Sequence, residues 1–147
     1  MSKHILLVIA LGICAFAAQA ADETQGPDFK PTQVTSTGSV TVGGSRIDYQ
    51  AVAGTLVVQA DDSPASAQAS MFYAAYFKRG VAAAGRPITF LFNGGPGSSS
   101  AWLHMGAFGP VRILTADHGH TPAAPYQTVN NDQSLMDASD LVFVDAP

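Results

Sequence analysis

The 147-residue sequence predicts a mixed α/β fold that begins in antiparallel strands, and three observations carry that prediction. Apolar and polar residues alternate around Gly43-Gly44, as in Ile47-Asp48-Tyr49-Gln50, which describes a half-buried hairpin. Two short, nearly continuous apolar runs, Ile88 to Phe92 and Leu141 to Val144, are expected of strands covered on both faces and central in a sheet. Between the first run and an apolar helical stretch through Leu103 and Phe108 lies Asn93-Gly94-Gly95-Pro96-Gly97-Ser98-Ser99-Ser100. Strand, glycine loop and helix start together describe an anion or oxyanion site.

Taken in order, the first element is a targeting segment. Lys3 and His4 precede an apolar run from Ile5 to Ala18, and Ala18-Gln19-Ala20 fits a small-x-small cleavage signature. Residues 1–20 therefore read as a signal peptide cut between Ala20 and Ala21, and the protein is expected to be secreted or periplasmic. A membrane anchor needs about twenty apolar residues, and this run is shorter and gives way to Asp22-Glu23, so no membrane association is expected after cleavage. Cys14 is preceded by bulky Ile13, which argues against a lipid attachment site, and it is the only cysteine. The mature chain thus has no disulfide, thiolate nucleophile or zinc-thiolate site. Losing Lys3 takes the basic count from 7 to 6 against 11 acidic residues, a formal charge of −5 that favours solubility. No basic patch suggests nucleic acid.

Residues 21–36 are polar and contain Pro27 and Pro31, which describes a flexible leader. Residues 37–147 form the predicted domain. Val40, Val42, Ile47, Tyr49, Leu56 and Val58 mark extended segments joined by a Gly43-Gly44 turn, and Asp61-Asp62-Ser63-Pro64 ends them. Met71 to Phe77, rich in aromatics, reads as a core strand ending at Lys78-Arg79-Gly80. Residues 116–128, with Pro122 and Pro125 and with Pro110 before them, read as a surface loop. His118 and His120 stand in a metal-like His-x-His spacing beside Asp117. A catalytic zinc usually needs three ligands, however, and no third stands at motif spacing, so no metal and no cofactor is expected. His104 is expected to pack or hydrogen-bond on the helix rather than act as a base. Asp145, at the carboxyl end of a predicted strand, stands where α/β sheets place their sites, or else simply forms a turn.

The glycine loop narrows the chemistry. Gly94 and Gly95 can take positive φ with no Cβ in the way, so an amide can face a reacting oxygen. Pro96 stiffens the turn, and Ser98 or Ser99 can cap the helix, whose dipole would add positive potential there. A phosphate-binding loop needs Gly-Lys-Ser/Thr at its end, and no lysine follows Lys78. The Gly-x-Gly-x-x-Gly spacing of dinucleotide sites does not fit either, which leaves acyl transfer as the better use.

With Asn93 to Ser100, two further blocks, Trp102 to Pro110 and Ser134 to Pro147, make the sequence resemble the bacterial branch of the serine carboxypeptidase family, peptidase family S10, over roughly residues 70–147. The resemblance implies an α/β-hydrolase fold, an acyl-enzyme mechanism with a Ser-Asp-His triad, a peptide substrate cleaved from its carboxyl end, and no cofactor. It matches Gly95 to the glycine whose amide helps form the oxyanion hole, and Asn93 and Gly94 to positions that bind the substrate's terminal carboxylate. The nucleophile elbow, the aspartate and the histidine lie later in such enzymes. The resemblance therefore implies that the sequence is the amino-terminal piece of a longer enzyme, inert alone. A central strand over Leu141 to Val144 that lacks its later neighbours would expose an apolar edge, so the piece is also expected to aggregate. Gly97-Ser98-Ser99-Ser100-Ala101 superficially fits an elbow, but Ser99 follows the oxyanion loop and is rejected as the nucleophile.

Three departures from the family pattern bear on specificity. Leu91 stands where eukaryotic members carry Trp, Ser98 replaces a half-cystine, and Ala107 stands where a Glu belongs to the carboxylate-binding network. Alanine cannot hydrogen-bond a carboxylate through its side chain, so that part of the exopeptidase apparatus is missing or rebuilt. Two other readings remain open at this point. One is a prolyl iminopeptidase-like or esterase hydrolase, whose similar loop usually follows His instead of Asn; the other is a secreted non-catalytic binding module.

Overall fold

The computed structural model describes residues 29–62, 67–95, 97–115, 119–120 and 123–145. The signal segment 1–20, the first part of the leader, the turn-stiffening Pro96, and Asp117 and His118 of the His-x-His motif lie outside these residues.

Three long strands open the domain: β1 (Thr32–Val42), β2 (Ser45–Gln59) and β3 (Ala67–Lys78). Gly43 and Gly44 join the first two with φ of 55° and 79°. Positive φ at both central residues defines the hairpin turn whose twist matches its strands, as the sequence predicts. β1 starts earlier than expected. Residues 32–36, assigned to the leader on polarity, pair with Ala51 to Thr55 of β2. Their side chains are exposed, and strand pairing needs only backbone groups and the β-branched Thr32, Val34 and Thr35 rather than apolar burial.

The chain then runs through β4 (Ile88–Leu91), a short helix α1 (Ala101–Leu103) that continues as a π-helical turn over His104–Phe108, β5 (Val111–Ile113), β6 (Thr128–Asn130) and β7 (Asp140–Asp145). The main sheet has the order β1-β2-β3-β7-β4, with β3 antiparallel and β4 parallel to β7. The last strand in sequence is thus inserted between its two predecessors. A parallel pair cannot be joined by a tight turn, so everything from residue 92 to residue 139 serves as the crossover. β5 and β6 form a separate two-stranded sheet, and Asn130 ties it to the edge of the main one by accepting from the Thr41 N–H at 2.7 Å and donating to the Thr41 carbonyl at 2.9 Å.

Register fixes one core face. Leu141 and Phe143 lie level with Thr89 and Leu91 on one side and Tyr76 and Ala74 on the other. This face packs with Val40, Ile47 and Tyr49 against Met136, with Leu103, Phe108 and Leu135 completing the layer. Each large apolar side chain buried there contributes roughly 1.5–3 kcal/mol. The expectation that Ile88 to Phe92 is covered on both faces does not hold among the described residues. β4 is the last strand of the sheet, and Ile88 and Phe90 are exposed, Phe90 at 64 %. A continuous apolar run identifies a strand but not the layer that covers it. β7, by contrast, takes the central position its sequence predicts.

Candidate active site

Parallel pairing of β4 and β7 brings their carboxyl ends to the same edge of the sheet. The chain leaves β4 into residues 92–100 and returns to end β7 at Asp145 beside them. Open α/β sheets bind ligands outside the carboxyl ends of strands where the strand order reverses, and the inserted β7 creates such a point.

Gly95 and Gly97 adopt φ of 87° and 73°, a region that side chains resist, whereas Gly94 does not take positive φ. The Gly95 carbonyl accepts from the Ser98 N–H at 3.2 Å, closing a tight turn. A Cβ built on Gly94, Gly95 or Gly97 would meet nothing within 4 Å, so the loop borders open space. Asn93 turns its side-chain amide back onto the Ser99 carbonyl at 2.5 Å, which commits one of its donors to the loop itself. Glycine here is a requirement of backbone shape, and Asn93 fixes that shape.

Asp145 is the second support. Its carboxylate accepts from the Ser100 N–H at 2.6 Å and from the Ser99 hydroxyl at 3.2 Å. It therefore binds a loop 45 residues earlier in the chain. Ser99 also accepts from the Ala101 N–H at 3.2 Å, but the N-cap position falls on Ser100, which makes no side-chain cap, so neither Ser98 nor Ser99 caps the helix as expected. The α-helical part is a single short turn, so the dipole expected to reinforce the loop is small. Its far end is held instead by buried Asn131, whose amide donates to the Ala107 and Gly109 carbonyls at 2.7 Å each, and by Ser134, which donates to the Phe108 carbonyl at 3.0 Å. These groups satisfy carbonyls that the helix end leaves open.

His104 faces inward. Its Nε2 lies 2.6 Å from the Tyr76 hydroxyl, and its ring stacks on Phe143 with centroids 4.5 Å apart. Burial holds the imidazole below the ordinary histidine range, against an upward pull from the Asp145 carboxylate. Burial, reinforced by Tyr49, pushes Tyr76 up to about 12. Partial burial alone would raise the Asp145 carboxyl, but hydrogen bonds from Ser100 and Ser99 and the nearby His104 outweigh it and hold the group below its usual value.

A serine, an aspartate and a histidine thus stand in one neighbourhood without forming a catalytic triad. Ser99 bonds to Asp145, while His104 bonds to Tyr76. The structure brings Asn93, Gly94, Gly95 and Asp145 to one edge, keeps His104 half-buried against Tyr76 and Phe143 and leaves Ala107 half-buried. Among the described residues no three His, Cys, Asp or Glu side chains lie together as metal ligands. Sequence reading missed Asn131, since nothing local announces a buried side chain that bonds carbonyls more than twenty residues away.

These features describe a mostly β-stranded chain with a mixed sheet, consistent with part of an α/β fold, and a glycine loop at the carboxyl edge of its parallel strand pair. The serine carboxypeptidase family model matches residues 47–147, and the chain belongs to that family. Comparison with curated proteins and with solved structures gives no match.

Proposed function

We propose that this chain carries the oxyanion-binding part of a serine-type peptidase with an α/β-hydrolase fold, acting on peptides from their carboxyl ends. The observation that supports it most is the Gly95 backbone, held at positive φ on a loop that borders open space at the carboxyl edge of a parallel strand pair. In this reading a serine attacks the scissile carbonyl, and the negative charge that develops on oxygen is stabilised by the Gly95 amide. An amide already fixed by Asn93, Ser98 and Asp145 contacts needs little reorganisation when that charge appears. Asn93 and Gly94 contribute to binding the substrate carboxylate, Asn93 with the donor it does not spend on Ser99. The attacking serine, its aspartate and its histidine are not assigned to any residue of this sequence, because Ser99 and Asp145 are bonded to each other and His104 is bonded to Tyr76 instead. Cleavage after Ala20 and action in the periplasm or outside the cell belong to the same proposal.

The test uses protein expressed from the complete coding region. Gly95→Ala keeps the amide but strains a backbone at φ 87°. Its kcat on an N-blocked dipeptide should fall about 100-fold or more, with KM nearly unchanged, because the lost interaction forms in the transition state. A fluorophosphonate label should map to a serine other than Ser99. Unchanged kcat in the Gly95 variant, or label on Ser99, would overturn the reading.

A further inference from the structure

Directly after the glycine loop, the first turn of α1 and the π-helical turn face β5 across a groove of about 380 Å³. Its lining includes Ala101, Trp102, Met105, Arg112, Ile113 and Tyr126. Trp102 is 81 % exposed, an indole that contributes nothing to the core. Large aromatic side chains left on a concave surface mark contact sites, because the rings bury much area at little entropic cost.

Arg112 is the exception to this apolar lining. It is half-buried on β5, and among the described residues its guanidinium makes neither an ion pair nor a hydrogen bond. The other two arginines with described partners behave differently: Arg86 bonds Asp140 and backbone carbonyls, and Arg46 pairs with Asp48. An occupant that removed water from Arg112 without offering an anion would leave a charge uncompensated. A carboxylate fits the planar donor fork in two-point fashion. The groove therefore calls for an apolar body that carries a carboxylate.

We infer that the groove receives the carboxyl-terminal residue of a peptide, with its carboxylate on Arg112 and a bulky apolar side chain against Trp102, Met105 and Tyr126. The choice of a peptide rests on the acyl-transfer reading, since Ala101 and Trp102 continue the chain straight from Asn93–Ser100.

Trp102 is the only tryptophan among these 147 residues, so the intrinsic fluorescence of this 147-residue chain reports on the groove. N-acetyl-Ala-Phe should perturb it saturably and bind about tenfold or more tighter than the same peptide with an amidated carboxyl end. Arg112→Gln should bind acid and amide alike, Arg112→Lys should keep part of the preference, and Arg46→Gln should keep all of it. Equal binding of acid and amide to the wild type, or an unaltered preference in Arg112→Gln with an unchanged circular dichroism spectrum, would overturn the inference. Benzoate binding as tightly as the peptide would overturn the choice of a peptide. No turnover is read, so a failed Gly95 experiment leaves this result standing and the reverse also holds.

Discussion

The two ends of β7 each carry an aspartate, and the two side chains do different work. At the amino end, Asp140 is buried, pairs with Arg86 Nε at 2.8 Å and accepts from the Lys78 N–H at 3.0 Å. Arg86 also donates to the carbonyls of Met136, Asp137 and Ser139, so one guanidinium gathers the segment that leads into the strand. At the carboxyl end, Asp145 is only part-buried and binds Ser99 and Ser100 of the glycine loop. The amino end anchors the strand to the fold, and the carboxyl end anchors the glycine loop to the strand. Similar chemistry at the two ends has different energetic weight because burial differs.

The largest expected effect tests the amino end. Arg86→Met leaves Asp140 buried without its counter-charge and deprives the carbonyls of their donor, which should cost about 3–5 kcal/mol in urea unfolding. Adding Asp140→Leu to that variant should restore part of the loss, because an apolar pair carries no desolvation penalty. A single variant that loses less than about 1 kcal/mol, the value of an exposed pair, would show that the amino end is no anchor.

Asp145→Ala should cost less, about 1–3 kcal/mol, since the exposed Ser99 hydroxyl it abandons can turn to water and only the N–H of buried Ser100 loses its acceptor. Its signature is local. Exchange of the Ser100 amide should accelerate, and the Gly95-dependent reaction should slow, while exchange of the β7 amides stays near that of the wild type. Uniform loosening of β7 and the loop would erase the distinction between the two ends.

How far each end was legible follows from the range of its interactions. The hairpin at Gly43-Gly44 and the strands around Tyr76 and Phe143 are written in local patterns of turn residues and apolar runs, and they formed where the sequence placed them. Asp145 could be nominated because it follows an apolar strand, but its partners could not, since they depend on β4 lying parallel to β7. Arg86 and Asp140 are 54 residues apart, and no motif joins them. The exposure of Phe90 and the pairing of residues 32–36 escaped for the same reason. Which strand becomes an edge is decided by the order of the whole sheet, not by the residues of that strand.

The smallest effect separates the ends by pH. His104 has a folded-state pKa below its ordinary 6.5, so the unfolded chain binds its proton more readily. Stability should therefore decline as pH falls below 6.5, until the folded-state imidazole also titrates. Asp145, held below its ordinary 3.8, contributes stability that is fully present above that value and is lost as pH falls through the folded-state pKa. Both contributions belong to the carboxyl half of the strand, where His104 stacks on Phe143 and couples to Asp145. Melting temperatures between about pH 7.5 and 5 should thus fall in the wild type. His104→Gln keeps a hydrogen-bonding group for Tyr76 but cannot titrate, and it should flatten the slope over that window. The Arg86→Met/Asp140→Leu double variant, which removes both charges of the buried pair, should lower every melting temperature and leave the slope unaltered. A slope that persists in His104→Gln, or that disappears in the double variant, would place the acid sensitivity at the wrong end of β7.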